Sequence, residues 1–170
     1  MTNEELSSKT RKALRESVKR LFPRKDIDEM AISEIAGEAG VSRMAFYRNY
    51  ASLEALYADC ASEMLEKLAS CISDGTKSND KRLWYETFFL NTGKNVWESR
   101  MLIELIKRYI PYDRLISILF PDEYSGDRYG TVARAGGFLA IISEWLYFGM
   151  KESPADMAVL CTEMLDNNNA

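Results

Sequence analysis

The 170-residue sequence predicts an all-α protein, with an N-terminal three-helix module containing a helix-turn-helix and a larger helical bundle after it. Three observations carry this reading. Apolar residues recur at helical spacing almost throughout, the alternation of strands is absent, and Pro23, Pro111, Pro121 and Pro154 fall between the periodic stretches.

Leu14, Val18, Leu21 and Phe22 share one helical face, so Thr10 to Phe22 reads as an amphipathic helix. Pro23 ends it, because the residue before a proline is pushed out of the α region. Ile32, Ile35, Ala36 and Ala39 form a short second helix that stops at Gly40, a residue suited to the left-handed position after a helix. Ser42 is a good N-cap for a third short helix reaching Tyr50. Ser52 caps a long fourth helix, with apolar positions from Leu53, Leu56, Tyr57 and Cys60 to Leu68 and Cys71. Asp74 to Asp80 reads as a linker. Further helices are expected at about 81–92, 95–109, 112–119, 127–150 and 154–166. Two domains follow, 1–50 and 51–170, joined by the fourth helix from about residue 52.

Composition removes many functions. With 46% apolar and 28% charged residues the chain can bury a core, and it has no histidine. Ser-His-Asp and Cys-His catalysis, Cys₂His₂ fingers, His-based metal centres and an imidazole switch are thereby excluded. No Gly-rich phosphate loop or nucleophile elbow is present either, so neither an enzyme nor a cofactor nor a metal is expected. The three cysteines, Cys60, Cys71 and Cys161, lack metal-binding spacing. On one helix Cys60 and Cys71 would stand roughly 16 Å apart, too far to bridge, so reduced buried thiols are expected. The polar, acidic N-terminus does not resemble a signal peptide. No apolar run reaches the ~18 residues of a membrane span, since Ser143 and Glu144 interrupt Gly136 to Met150. A cytoplasmic protein with no membrane partner is expected.

The formal charge of −4 is unevenly distributed. Residues 1–50 carry ten Lys and Arg against eight Asp and Glu, and residues 51–170 carry twelve against eighteen. Between Lys9 and Lys25 only Glu16 opposes Lys9, Arg11, Lys12, Arg15, Lys19, Arg20, Arg24 and Lys25. Five of the nineteen aromatic residues precede residue 60 and fourteen follow residue 80. A small basic head thus precedes an acidic, aromatic-rich body, an asymmetry expected where one end meets a polyanion.

The second helix, the turn Ala39-Gly40-Val41-Ser42 and the third helix match a helix-turn-helix, which needs small residues where two helices cross closely. Phe46 and Tyr50 can pack inward, leaving Arg43, Met44, Ala45, Tyr47, Arg48 and Asn49 on or near the outer face. A helix capped at Ser42 also turns free backbone N–H groups and a positive dipole end toward phosphate.

The run from Ile32 to Leu56 (ISEIAGEAGVSRMAFYRNYASLEAL), with the first helix ending at Leu21-Phe22, resembles the signature of TetR-type transcriptional regulators. Further on, Gly136-Gly137-Phe138-Leu139 with Trp145, Gly149, Ser153-Pro154 and Met157-Ala158 resembles a short ligand-domain class common in TetR-like proteins of Gram-positive bacteria. The first resemblance implies that Ser42, Arg43, Met44 and Ala45 open the recognition helix near bases and phosphates, with Ser33 and Arg48 also in the DNA-binding set. It puts Tyr47 against the DNA backbone and Asn49 where a phosphate-contacting His is often found. Three positions depart from the pattern. Leu53 replaces a usual phosphate-touching Lys, Ala31 a usual Thr cap, and Asp26 a common Gly. Loss of one Lys contact should lower the salt slope by roughly one and weaken binding to all sequences alike.

In the body, Trp84, Tyr85, Phe88, Phe89, Trp97, Leu102 and Tyr109 form either plain core or the lining of a pocket for a small hydrophobic ligand. Glu86, Glu98 and Glu104 read as surface carboxylates or as acceptors for a cationic ligand. Phe138, Leu139, Ile142, Trp145 and Leu146, with Met157, Cys161 and Met164, form either core or a dimer seam, and TetR-like proteins pair two such helices per subunit. The expected function is a homodimeric, DNA-binding regulator, a repressor that reads a palindromic operator and is released by a small molecule. The alternative is a TetR-shaped interaction protein or coactivator with weakened DNA binding, an idea that rests on Leu53 and Ala31.

Overall fold

Helix α1 (Asn3–Leu21) starts well before Thr10 in the computed structural model, which describes residues 2–75, 80–120 and 127–166. Thr2 Oγ1 accepts from the Glu5 amide at 3.2 Å and Glu5 Oε2 accepts from the Thr2 amide at 3.0 Å. That reciprocal capping box satisfies two otherwise orphaned N–H groups upstream of any apolar periodicity. After a 3₁₀ turn at Ile27–Glu29 come α2 (Ile32–Glu38), α3 (Arg43–Asn49) and α4 (Leu53–Gly75). The second half of the chain holds α5 (Lys81–Lys94), α6 (Val96–Tyr109), α7 (Tyr112–Leu119), α8 (Arg128–Tyr147) and α9 (Pro154–Cys161), which runs into a π turn at Thr162–Asp166. No strand occurs among the described residues, and none of their helices is long and apolar enough to cross a membrane.

The chain divides into two compact units, Met1–Ser62 and Glu63–Ala170, here called head and body. The head extends past residue 50 because the first turns of α4 belong to its core. Leu56, Tyr57, Cys60 and Ala61 are buried there with Leu14, Val18, Ile35 and Phe46. The buried Tyr57 hydroxyl donates to the Ile27 carbonyl at 2.9 Å, so that placing a tyrosine in the core leaves no polar atom unsatisfied.

The body packs around aromatic rings. Phe138 of α8 lies 4.7 Å from Phe88, 5.2 Å from Tyr85, 5.5 Å from Trp84 and 5.9 Å from Phe89, measured between ring centroids. These separations fall in the range of favourable edge and offset contacts. Trp145 meets Phe89 at 5.1 Å and donates its indole N–H to the Glu152 carbonyl at 3.0 Å. Side-chain caps open four of the body's helices. Asp80 opens α5, Asn95 opens α6, Asp127 opens α8, and Ser153 forms a capping box with Asp156 ahead of Pro154.

Several expectations change. α8 ends at Tyr147 rather than 150, because Gly149 (φ +91°) and Met150 (φ +51°) turn the backbone left-handed. Helix α9 gives way to the π turn after Cys161. The linker expected at Asp74 begins later, since α4 continues to Gly75, and residues 76–79 lie outside the described residues, as does Pro121. Of the eight residues expected as core or dimer seam, six are core of the single chain. Phe138, Ile142, Trp145, Leu146, Met157 and Cys161 are buried within the single chain, because their stripe faces the aromatic core. Leu139 is half-buried, and Met164 alone of that set is exposed. Cys60 and Cys161 are buried. Burial, helped by the nearby Asp166 carboxylate, pushes the Cys161 thiol up to about 12.

Candidate nucleic-acid interface

The turn between α2 and α3 follows from one glycine. Gly40 sits at φ +69°, its amide donates to the Gly37 carbonyl at 3.0 Å, and the Val41 amide donates to the Ala36 carbonyl at 2.9 Å. This is a Schellman ending, and only glycine adopts that backbone without strain. Val41 and Ser42 then lead into α3, where Ser42 Oγ accepts from the Ala45 amide at 3.1 Å. Phe46 is fully buried and Tyr50 nearly so, with ring centroids 6.0 Å apart, and both belong to the head core as expected. With those two anchors inward, Arg43, Met44, Tyr47 and Arg48 face solvent, Met44 at 66% and Tyr47 at 50% exposure. So much apolar surface on a seven-residue helix flanked by cations is suited to a binding face.

The remaining members of the expected set divide. Ser33 is exposed on α2 and Ala45 is half-buried. Asn49 turns inward, where its Oδ1 accepts from Ser7 Oγ at 2.6 Å and its Nδ2 donates to the Ala45 carbonyl at 2.7 Å. It thus ties α1 to α3. Ala31 opens α2 with no side-chain cap, while Leu53 is half-buried at the start of α4.

The basic stretch Lys9 to Lys25 is largely used inside the head. Arg15 pairs with Asp59 at 2.8 Å, Arg11 with Asp59 at 3.3 Å, and Lys19 with Glu16 at 2.8 Å. Arg20 pairs with Glu38 at 2.7 Å and Lys25 with Glu34 at 2.8 Å. The Lys25 hydrogen bond in turn holds the Glu34 carboxyl below its ordinary value. By contrast, Arg43 and Arg48 have no carboxylate partner among the described residues, nor do the exposed Lys12 and Arg24. Two of these four cations, Arg43 and Arg48, lie on α3.

Asp59 is a residue that local pattern reading misses. Its carboxylate accepts from the Tyr50 hydroxyl and from Arg15, and the Arg11 guanidinium lies 5.1 Å over the Tyr50 ring. Burial alone would raise the Asp59 carboxyl. The Tyr50 hydrogen bond and the charges of Arg15 and Arg11 outweigh it and hold the group below its ordinary value. The same environment raises the Tyr50 phenol, through burial first and the Asp59 hydrogen bond second.

In the body a small apolar cavity of about 20 Å³ lies among α5, α6, α7 and α8, with Leu65 and Leu68 of α4 also on its wall. That is room for about one water. Phe88 and Leu102 are the only members of the expected ligand set that line it. Tyr85 and Phe89 are core, and Trp84 stacks on Phe88 at 5.4 Å. Trp97 is 52% exposed beside Arg100, and Tyr109 is half-buried off the lining. Phe138, Leu139 and Ile142, expected at a dimer seam, are part of the wall. Its polar members, Thr92 and Ser99, spend their hydroxyls on the Phe88 and Thr92 carbonyls at 2.7 Å. None of Glu86, Glu98 and Glu104 lines it, and Glu104 instead accepts from the Tyr147 hydroxyl at 2.8 Å.

The described residues thus define an all-α protein with a helix-turn-helix head and a second helical unit. Residues 16–60 match the family model of bacterial regulatory proteins, tetR family. Among curated proteins none matches the chain by sequence. Solved structures share the fold over nearly the whole length. A putative tetR family transcription regulator from Shewanella sp. PV-4 is similar at TM-score 0.70 and 15% identity, covering 94% of this chain and 97% of that one. The fatty acid degradation regulator FadR from Bacillus halodurans reaches 0.64 at 14% identity, over 91% and 93%. NalD, the secondary repressor of the MexAB-OprM multidrug efflux pump in Pseudomonas aeruginosa, reaches 0.60 at 19% identity, over 94% and 96%.

Proposed function

We propose that the chain is a cytoplasmic, homodimeric, sequence-specific DNA-binding transcriptional regulator, acting as a repressor. The observation that carries this reading is the outer face of α3, where Arg43, Met44, Tyr47 and Arg48 are exposed and the two arginines are free of carboxylate partners among the described residues. A dimer would set one recognition helix in the major groove of each half-site of a palindromic operator, the half-sites one helical turn apart. The dimer face we assign is the exposed side of α8, with Tyr129, Val132, Ala133, Ala140 and Tyr147, an uncharged strip broken by Glu144. The repressor sign follows the description of NalD. A small hydrophobic ligand would enter at the apolar cavity and act by its differential affinity for two states of the body, felt by the head through the continuous helix α4.

The test is selection of duplexes from a random-sequence pool by the purified chain, followed by a salt titration. A palindromic consensus bound at physiological salt supports the regulator. Weak, sequence-blind binding overturns it in favour of an interaction protein on the same fold.

A further inference from the structure

We infer that Asp59 is a positioning residue for the recognition helix, fixing the angle at which α3 is presented by holding the Tyr50 hydroxyl at its C-terminal end to α1 and α4. The inference rests on the DNA-binding reading of α3.

A seven-residue helix has little stability of its own and takes its orientation from its anchors. At its N-terminal end α3 is set by the Gly40 turn and the Ser42 cap, and in its middle by the buried Phe46 ring. These leave rotation about the Phe46 ring to be fixed at the far end. There the Tyr50 amide donates to the Phe46 carbonyl at 2.9 Å and the ring is buried, while its hydroxyl reaches Asp59 on α4. The same carboxylate takes Arg15 at 2.8 Å and Arg11 at 3.3 Å, and Arg11 Nε also donates to the Tyr50 hydroxyl at 3.4 Å. Three elements thus meet on one charged acceptor. The Ser7–Asn49 contact nearby is a neutral bond, and hydrogen bonds to an ionised acceptor are roughly twice as strong.

Base-edge hydrogen bonds tolerate little displacement, whereas phosphate attraction carries no sequence information and falls off slowly. Loosening this end of α3 should therefore cost selectivity before it costs affinity for DNA in general. Tyr50→Phe removes no charge, so its salt slope should not move, whereas Asp59→Asn also releases Arg11 and Arg15 and should not weaken binding to DNA in general.

The experiment uses the full chain, two duplexes at matched salt, and the variants Asp59→Asn, Tyr50→Phe and their combination. One duplex is that selected by the wild-type chain from a random pool, and the other is of random sequence. Each single variant should bind the selected duplex about tenfold more weakly. The random duplex should be bound within about twofold of wild type by Tyr50→Phe and no more weakly than wild type by Asp59→Asn, and the double variant should be no weaker on the selected duplex than the worse single. Amide exchange at Phe46 and Tyr50 should quicken in both singles while that at Ile35 in α2 stays as in wild type. Equal losses on both duplexes, an additive double variant, or unchanged exchange in α3 would each overturn the assignment. Should Asp59→Asn not fold, Tyr50→Phe decides alone, by lost selectivity or by none. Should the wild-type chain select no duplex, the DNA-binding reading fails, and exchange in α3 still decides whether Asp59 anchors that helix.

Discussion

In the head, helices are clamped at their edges by charge, with Arg15 and Arg11 on Asp59, Arg20 on Glu38 and Lys25 on Glu34 around a modest core. In the body, rings fill the core, with Phe138 enclosed by Phe88, Tyr85, Trp84 and Phe89, and charge is confined to fewer ties such as Lys81 and Arg134 on Asp166. Ring packing is indifferent to pH and salt but intolerant of lost volume. Ion pairs cost little volume but fix angles and respond to protonation. A unit that must present one short helix at a set angle is held in the second way, and a unit that fills space is held in the first.

The comparison is most sharply broken by Phe138→Ala, which should cost about 3–5 kcal/mol, read as lost stability in urea unfolding. A loss under about 1 kcal/mol would mean that the rings can collapse into the space. Arg43→Ala and Tyr47→Ala should each weaken binding to a selected duplex about tenfold, ~1.4 kcal/mol, in mobility-shift titrations, with thermal stability unchanged. Unchanged affinity for both would remove α3 from the interface. Gly40→Ala meets no atom within 4 Å, so its expected cost of about 1–2 kcal/mol is backbone strain alone, measured by the shift of the head's unfolding midpoint.

The smallest effect is on pH dependence. Because the Asp59 carboxyl is held below its ordinary value, its contribution is fully present above the unfolded value near ~3.9 and is lost as pH falls through the lower folded one. Urea midpoints from pH 6 to pH 3 should fall for the head of the wild-type chain, and less steeply for Asp59→Asn.

Helix boundaries set by apolar spacing and prolines were legible in the sequence, as were the Gly40 turn, the Ser42 cap and the buried pair Phe46 and Tyr50. The start of α1 was not found by periodicity, because Leu6 stands 56% exposed, although the Thr2–Glu5 capping box is a readable signal. Asp59 could not be found, since its partners Arg15 and Arg11 lie on a helix distant in sequence. Spacing also could not say whether the stripe from Phe138 to Leu146 faces its own chain or a second one. It faces inward, because the rings of α5 already cover it.

The apolar cavity holds no more than a water's worth of space, and its hydroxyls are already engaged with backbone carbonyls. Any larger guest must push side chains apart, so affinity would be set by the compliance of the wall more than by its chemistry. Trimming the wall then trades one quantity for the other. Leu102→Ala should lower the unfolding midpoint while raising the uptake of small apolar molecules, and a titration with benzene followed by thermal shift would read both at once.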